Sequence, residues 1–193
     1  RVMVTIGITG GIGSGKSLIS RILKIWGYPV YDTDIEAKKL MDNSDEVKNR
    51  LVALLGNIYN NTGLDRSRMA SIIFNDQIKL KKVNAIVHPA VRSDFSIWVQ
   101  KQNTDVAFVE SAILYEAGFD KNVTFVWNVS APLEMRVMRV MKRNNCTREE
   151  VLARISKQTS DNERNEKSND IIYNDGIQPV IPQLRTLLAK YEK

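Results

Sequence analysis

The segment GGIGSGKS at positions 10–17 restricts what this chain can fold into more than any other feature. It matches the pattern G-x-x-x-x-G-K-[ST] without a gap. A β-branched run, VMVTIGI at 2–8, precedes it, and apolar residues at helical spacing follow it from Leu18 to Trp26. A glycine loop between a strand and a helix presents backbone N–H groups to phosphate oxygens, and the helix points its positive end at them. We therefore predict that this loop binds the phosphates of a nucleoside triphosphate.

The residue types within the loop indicate individual roles. A Cβ atom at Gly10 or Gly15 is expected to clash or to forbid the required φ angle. Lys16 is expected to reach the β- and γ-phosphates, and Ser17 to be a ligand of Mg²⁺. The predicted triphosphate-binding residues of the loop are Gly10, Gly11, Ile12, Gly13, Ser14, Gly15, Lys16 and Ser17.

Length, cysteine content and charge limit the class of protein. The chain has 193 residues, which suits one domain with a small insertion. Cys146 is the single cysteine, so no internal disulfide can form and a reducing compartment is expected. No apolar segment approaches the ~20 residues that cross a bilayer. We expect a soluble, cytoplasmic protein without a membrane partner, and its formal charge of +6 suits nucleic acid or small polyanions such as nucleotides.

Strands alternate with helices along most of the chain. This order predicts an α/β fold of the P-loop NTPase type, with three layers around a mostly parallel five-stranded sheet. Residues 1–60, 104–141 and 168–193 are the predicted nucleotide-binding core. Residues 61–103 are a predicted helical insertion, and residues 142–167 a predicted helical lid.

A proline divides the predicted insertion. Pro89 disfavours a helical conformation at His88 and fits the first turn of a helix, so we expect one helix to end at His88 and another to begin at Pro89. The N–H groups at that new N-terminus would suit an anion. The alternative is that His88 only caps a helix.

Carboxylates follow the second predicted strand. The chain lacks the Asn-Lys-x-Asp motif of GTPases, and a small domain with a helical insertion is typical of a small-molecule kinase. Such a kinase needs a base for the acceptor hydroxyl. Asp32 and Asp34 lie where the carboxyl ends of parallel strands form a ligand crevice, so one can accept the proton while the other holds Mg²⁺ through water. Alternatively, Asp34 caps a helix and Asp32 is solvated.

A predicted helix at 132–144 carries three arginines on one side. At 100° per residue, Arg136, Arg139 and Arg143 fall within an arc of about 60°. Their guanidinium groups match phosphate oxygens, so they could neutralise the transferring phosphoryl group; the alternative is a solvated basic face. Arg154 and Gln158, one turn apart on the next predicted helix, could continue the polar lining of the lid.

Several segments, taken in this order and spacing, resemble the dephospho-CoA kinase family over nearly the whole chain. They are GITGGIGSGKS, YDTD, TGLDRSRMASIIF, VNAIVHPAV, ILYEAG, RVMKRNN, ARISKQ and IIYNDG. The resemblance implies that the γ-phosphate of ATP, bound with Mg²⁺, is transferred to the ribose 3′-hydroxyl of dephospho-CoA. That reaction is the last step of coenzyme A synthesis.

The resemblance also implies roles for particular residues. Asp34 is the preferred general base and Asp32 the alternative. The other implied catalytic residues are Lys16, Arg143 and Arg139. Implied ATP contacts beyond the loop are Leu18, beside the α-phosphate, and Asn174 and Gly176, near the adenine. The resemblance implies a single kinase unit in which the insertion at 61–103 binds the acceptor. The implied acceptor-binding residues are His88, Pro89, Leu114, Tyr115 and Glu116.

Three positions depart from the pattern usual in that family. Glu110 stands where the family commonly has aspartate after the third strand, and its longer side chain is expected to shift the metal-side geometry. Leu18 replaces a common threonine and removes a hydroxyl near the α-phosphate. Asn169 stands where aspartate is common before the last strand, so we assign it no chemistry.

Two other functions remain open from the sequence. A different nucleoside or nucleoside-monophosphate kinase would use the same loop with another acceptor. An NTP-regulated nucleic-acid-binding protein would use the positive charge, but aromatic residues are not interleaved with the basic ones, so no nucleic acid is expected. The predicted partners are ATP and dephospho-CoA, and the predicted assembly is a monomer or a weak homo-oligomer.

Overall fold

A computed structural model describes residues 3–191, which belong to two compact units. The core unit comprises the chain up to Asp32 and again from Lys101 onward, and the helical unit runs from Thr33 to Gln100. The helical unit thus includes residues 33–60 together with most of the predicted insertion. The division of the chain into core, insertion and lid at the bounds given above remains a prediction.

The described residues form seven strands and nine α-helices. The strands are β1 (Val4–Thr9), β2 (Val30–Asp32), β3 (Tyr59–Asn60), β4 (Gly63–Leu64), β5 (Val106–Glu110), β6 (Phe125–Ser130) and β7 (Asp170–Tyr173). The α-helices are α1 (Lys16–Ile25), α2 (Thr33–Asn43), α3 (Asp45–Leu55), α4 (Arg66–Ile73), α5 (Gln77–Gln100), α6 (Leu133–Asn144), α7 (Arg148–Ile155), α8 (Asp161–Lys167) and α9 (Val180–Leu188). A short 3₁₀ helix spans Phe119–Asn122.

A five-stranded sheet organises the core unit. Its strand order is β2-β5-β1-β6-β7, and every neighbouring pair is parallel. The predicted α/β fold and five-stranded sheet are confirmed, and the sheet is wholly rather than mostly parallel. Because β1 is central, the loop that follows it emerges between the carboxyl ends of β5 and β6.

The core of this unit packs helices onto the sheet. Strands β5 and β6 are almost continuously buried, as expected for parallel strands covered on both faces. Ile19 and Leu23, one turn apart on α1, are fully buried in the same cluster as Phe108 and Trp127. The rings of Phe108 on β5 and Trp127 on β6 lie 5.3 Å apart, so aromatic packing links the two strands that flank β1.

The helical unit contains α2 to α5 and the antiparallel pair β3–β4. Ser44 Oγ accepts a hydrogen bond from the amide of Val47 at the start of α3. Asp65 accepts from the amide of Arg68 at 2.9 Å at the start of α4. Both caps agree with helix starts that serine and aspartate predict from the sequence.

The predicted helix break at His88 is wrong. Helix α5 runs for 24 residues with Pro89 inside it. An internal proline costs ~3 kcal/mol because one backbone hydrogen bond is lost. Buried side chains before and after Pro89, including Val83, Val87 and Val91, continue one apolar stripe, and each contributes ~1.5–3 kcal/mol when buried. Packing therefore outweighs the local preference, and the anion site expected at a new N-terminus does not form.

Within residues 3–191, no helix combines the length and the apolar character needed to cross a lipid bilayer. Even α5, the longest helix, falls short because polar and charged residues recur along it.

Candidate nucleotide-binding and phosphoryl-transfer site

The phosphate loop, residues 10–17, leaves the carboxyl end of β1 and enters α1 at Lys16. The amide of Ser14 donates to the carbonyl oxygen of Gly11 at 3.0 Å, which forms a turn inside the loop. Since α1 begins within the loop, its first amides and the positive end of its dipole lie at the same place. The loop therefore has the backbone geometry expected of an anion-binding site.

Two glycines of the loop leave no room for side chains. Gly15 has φ +101°, and a Cβ atom there would collide with the side-chain amide of Asn174. A Cβ atom at Gly10 would lie 2.5 Å from the carbonyl oxygen of Val129. The expected exclusion of side chains at these positions is thus confirmed by close contacts with β6 and with the segment after β7.

Lys16 folds over the phosphate loop. Its Nζ atom donates to the carbonyl oxygen of Gly10 at 2.7 Å and to that of Gly11 at 3.3 Å. The ammonium group therefore lies against the first residues of the loop, where a bound polyphosphate would replace the carbonyl oxygens as its partner.

Three residues with oxygen-bearing side chains lie at the carboxyl edge of the sheet. Ser17 Oγ donates to Glu110 Oε1 at 3.2 Å, so the family departure at Glu110 contacts the predicted metal ligand directly. Asp32 ends β2 in register opposite Glu110. Within the described residues, no group of three or more His, Cys, Asp or Glu side chains is arranged to hold a metal ion. The set nevertheless fits Mg²⁺, which prefers oxygen ligands and usually takes only one or two carboxylates together with substrate phosphates.

Helix α6 divides its three arginines among different environments. Arg139 Nη1 donates to the carbonyl oxygen of Gly13 at 3.3 Å, and its Nη2 donates to the carbonyl oxygen of Asn174 at 3.0 Å. Arg143 is exposed in the last turn of α6, where its Nε donates to the side chain of Asn144. The structure thus brings Arg139 to the phosphate loop, whereas the described contact of Arg143 lies within its own helix end.

The segment after β7 closes another side of the loop. Asn174 Nδ2 donates to the carbonyl oxygen of Ser14 at 2.8 Å. Gly176 lies beside Met135, whose Cε atom would be 3.4 Å from a Cβ there. An open, apolar pocket of about 790 Å³ runs along this part of α6, lined by Pro132, Glu134, Met135, Met138, Arg139, Met141 and Lys142. Arg139 therefore contacts Asn174, and Gly176 lies two residues further along the same segment, beside Met135.

Arg136 is buried. It therefore does not belong to a solvated basic face, which was one of the alternatives for this helix. It is 1% exposed; its Nε donates to the carbonyl oxygen of Ile12 at 3.0 Å and its Nη1 to Asp161. Arg164, also 1% exposed, donates to the other oxygen of Asp161 at 2.9 Å. Two buried guanidinium groups thus share one carboxylate, and they attach the start of α8 to the back of the phosphate loop.

Gln158 also contacts the phosphate loop. The backbone amide of Ile12 donates to Gln158 Oε1 at 3.0 Å. The next residue, Thr159, donates its amide to Glu116 Oε1 at 2.9 Å. The sequence indicated Gln158 as polar lining of a lid, but the four-residue spacing from Arg154 gave no sign that its partner would be Ile12.

Two residues of the core unit that are predicted to bind the acceptor substrate contact the residues on either side of α8. The Tyr115 hydroxyl is 2.8 Å from Ser168 Oγ, and burial raises the pKa of Tyr115. Burial alone would raise the pKa of Glu116, but the hydrogen bonds from Thr159 and the charge of Arg164 outweigh it, so this pKa lies below its ordinary value. Leu114 is fully buried, so its side chain belongs to the core.

The helical unit carries the remaining predicted residues. Asp34 is exposed in the first turn of α2, which begins one residue earlier at Thr33. His88 is half-buried on α5, and Pro89 follows it in the same helix. Burial, with a smaller contribution from Arg92, lowers the pKa of His88, so its neutral form is favoured near pH 7.

A central parallel strand, a glycine loop with its lysine and serine at a helix N-terminus, and arginine on the loop define a kinase of the P-loop class. The profile of the dephospho-CoA kinase family matches residues 4–179. The chain belongs to the dephospho-CoA kinase family.

Individual relatives agree with this assignment. A dephospho-CoA kinase of Bacteroides fragilis (strain YCH46) is 40% identical over 188 residues, which cover 96% of this chain and 92% of the relative. A crystal structure from Thermus thermophilus has a TM-score of 0.87 at 34% identity and covers 100% of both chains. The dephospho-CoA kinase from Campylobacter jejuni has a TM-score of 0.70 at 25% identity, covering 97% of this chain and 96% of its own.

Proposed function

We propose that this chain transfers the γ-phosphate of ATP to the ribose 3′-hydroxyl of dephospho-CoA, giving coenzyme A and ADP. The observation that carries the proposal is the phosphate loop, with Lys16 folded over it and Ser17 on Glu110, in a chain of the dephospho-CoA kinase family. In the reaction, the 3′-oxygen bonds to the γ-phosphorus while the bond to the β,γ-bridging oxygen breaks. The hydroxyl proton passes to a carboxylate, and ADP leaves.

Asp34 is the proposed proton acceptor, with Asp32 as the alternative. Asp34 is exposed, whereas Asp32 ends β2 in register with Glu110, and Glu110 accepts the hydrogen bond of the Ser17 hydroxyl. An exposed carboxylate suits contact with an incoming hydroxyl, and a carboxylate among oxygen donors suits metal-bound water. These environments favour the division in which Asp34 acts as base.

Mg²⁺ is the proposed cofactor, with ATP as co-substrate. Ser17 and Glu110 would hold it, and Asp32 would reach it through water. When bound, the ion would neutralise phosphate charge that develops during transfer. Lys16 would leave the carbonyl oxygens of Gly10 and Gly11 for phosphate oxygens, which keeps its ammonium fully paired.

The adenine is proposed to bind along α6. The apolar pocket beside Met135 and Gly176 offers a surface for a base, and Arg139 lies between this pocket and the phosphate loop. The guanidinium plane of Arg139 can stack on a base. Arg143 is exposed at the end of the helix, so its side chain can reorient to contact phosphates. Leu18 is also exposed next to the loop and adds no hydroxyl there.

The proposed acceptor-binding residues include His88, Pro89, Tyr115 and Glu116. His88 is half-buried and its neutral imidazole can donate one hydrogen bond without bringing charge.

We also propose a reducing, cytoplasmic setting, which the single Cys146 suits. The predicted monomer or weak homo-oligomer remains a prediction.

An acceptor panel tests the function. ADP release would be measured with ATP, Mg²⁺ and, in turn, dephospho-CoA, nucleosides, nucleoside monophosphates and water alone. We expect dephospho-CoA to give the highest kcat/KM, with phosphate on the 3′-oxygen of the product. A faster reaction with a nucleoside monophosphate would replace the proposed acceptor, and salt-sensitive binding of RNA or DNA without phosphoryl transfer would indicate a nucleic-acid-binding protein instead.

A further inference from the structure

Residues 11–14 of the phosphate loop form a turn whose central peptide could point in either of two directions. The amide of Ser14 donates to the carbonyl oxygen of Gly11 at 3.0 Å, Gly13 has φ +80°, and the φ angle of Ile12 is not positive. This combination defines a type II turn. A type I turn differs by a rotation of the central peptide through about half a turn, and glycine at its third position permits both forms.

Arg136 binds the peptide that distinguishes the two forms. Its Nε donates to the carbonyl oxygen of Ile12 at 3.0 Å. Because the peptide is planar and trans, the N–H of Gly13 points away from that carbonyl oxygen, and hence away from the guanidinium group. Within residues 3–191, the N–H of Gly13 donates to no protein group. Rotation to the type I form would break the bond to Arg136 and exchange the directions of the carbonyl and the N–H.

The guanidinium group of Arg136 is held where it is by its surroundings. It is 1% exposed and pairs with Asp161, which also accepts from Arg164 at 2.9 Å. A Cβ atom on Gly11 would lie 2.5 Å from Cζ of Arg136, and one on Gly13 would lie 2.5 Å from its carbonyl oxygen. Helix α6 therefore packs directly on the turn and closes that side, whereas Gly13 stays partly exposed. A ligand has access to the turn from the side away from Arg136.

We propose that Arg136 is a positioning residue that keeps this turn in its type II form, so that Gly13 presents its N–H to a phosphate oxygen of the bound nucleotide. Phosphate loops bind through backbone N–H groups, and a carbonyl oxygen at the same place would repel phosphate. Arg136 thus contributes to nucleotide affinity without touching the nucleotide. The inference rests on the proposed function only in requiring that the loop binds a triphosphate; the identity of the acceptor does not enter.

Two variants of Arg136 that differ in one donor test the inference. Met and Gln each place an atom as many bonds from Cα as the Nε of arginine, a methyl group in the first and an N–H donor in the second. Both lose the ion pair with Asp161. By calorimetry with Mg²⁺, Arg136→Met should bind AMP-PNP ~10- to 150-fold more weakly, the range of one hydrogen bond to a charged group. Arg136→Gln should stay within about 3-fold of the wild type.

Adenosine supplies the control, because it has no phosphate and should bind the wild type and both variants alike. Equal losses of AMP-PNP affinity in the two variants would assign the effect to the ion pair and overturn the inference, as would no loss in either. If only the methionine variant weakens AMP-PNP while the enzyme ignores dephospho-CoA, the inference stands and the proposed acceptor falls.

Nuclear magnetic resonance of the nitrogen-15-labelled wild type tests the same point without a substitution, and so decides the matter if the methionine variant does not fold. The Gly13 amide resonance should shift with AMP-PNP and not with adenosine. In a type II turn the Hα of Ile12 lies close to the amide proton of Gly13, so their nuclear Overhauser effect should exceed that between the two amide protons. An unmoved Gly13 resonance, or the opposite order of the two effects, overturns the inference.

Discussion

The two units of the molecule differ in whether they bury charged side chains. In the core unit, Arg136 and Arg164 are each 1% exposed and share Asp161, while Lys16 lies on loop carbonyl oxygens. In the helical unit, all of whose residues the structure describes, the buried side chains are apolar apart from Thr33. Its ion pairs, such as Arg66 with Asp42, have side chains that are 43% and 33% exposed.

Contacts that fix the positions of residues therefore differ from contacts that stabilise the fold. A buried ion pair contributes little net stability but fixes positions, since a misplaced charge in a dry environment is costly. Exposed ion pairs contribute ~0–1 kcal/mol and fix little. The core unit therefore uses polar contacts to hold the phosphate loop, whereas apolar burial along α5 holds the helical unit together. Substitutions of ion-paired residues should consequently lower the free energy of unfolding more in the core unit than in the helical unit.

The largest expected effect is that of Lys16→Ala. The variant loses the ammonium that we place on the transferring phosphates, so kcat should fall by ~10² to 10³ or more. Its circular dichroism and melting temperature should stay near those of the wild type. The exposed Lys157→Ala serves as the matched control, and near-normal turnover by Lys16→Ala would contradict the role of the loop.

Asp34→Asn and Asp32→Asn test one carboxylate from each unit. If Asp34 is the base, its variant should lose ~10²-fold in kcat with little change in the dissociation constant for ATP, because only proton acceptance is lost. Asp32→Asn should instead raise the Mg²⁺ concentration needed for half-maximal rate. The reverse pattern would assign the base to the core unit, and it would show that a polar residue of the helical unit is dispensable.

A third pair of variants compares stability directly. Asp161→Asn leaves two buried guanidinium groups without their carboxylate and should lower the free energy of unfolding by about 2 kcal/mol, less than for a fully buried pair because Asp161 is 45% exposed. Asp42→Asn removes an exposed pair and should cost about 0.5 kcal/mol. Urea denaturation measures both; equal losses would remove the proposed contrast between the units.

The smallest expected effect concerns pH and the single histidine of the chain. Burial lowers the pKa of His88 below its ordinary value of 6.5, so the unfolded chain binds the proton more readily than the folded one. The contribution of His88 to stability is therefore fully present above pH 6.5 and is lost as the pH falls toward the folded-state pKa. His88→Gln should flatten the dependence of unfolding free energy on pH in this range; an unchanged slope would contradict the burial effect.

The sequence predicts what local patterns determine. The phosphate loop, the strand before it and the helix after it follow from glycine, β-branched and apolar spacing, and the structure confirms them together with the parallel sheet. The helix caps at Ser44 and Asp65 also follow from single residues. The roles assigned to Asp34, Arg143 and the acceptor residues stay predictions.

Long-range packing determines the features that local sequence patterns could not predict. Pro89 carries a strong local signal, but the apolar stripe of α5 continues through it. Arg136 has the helical spacing of a surface arginine, and its burial depends on Asp161, 25 positions further along the chain. Gln158 likewise finds its partner in Ile12 only after folding.

The strand order of the central sheet, in which β1 pairs with strands that come much later in the chain, has a consequence for biosynthesis. Asn174, which closes on Ser14, is made 160 residues after it. Strand β1 likewise pairs with β5 and β6, which are both made later than β1 itself. The ribosome therefore completes the phosphate loop long before the partners that shape it, and we expect the loop to hold ATP only after the chain has been made as far as Asn174.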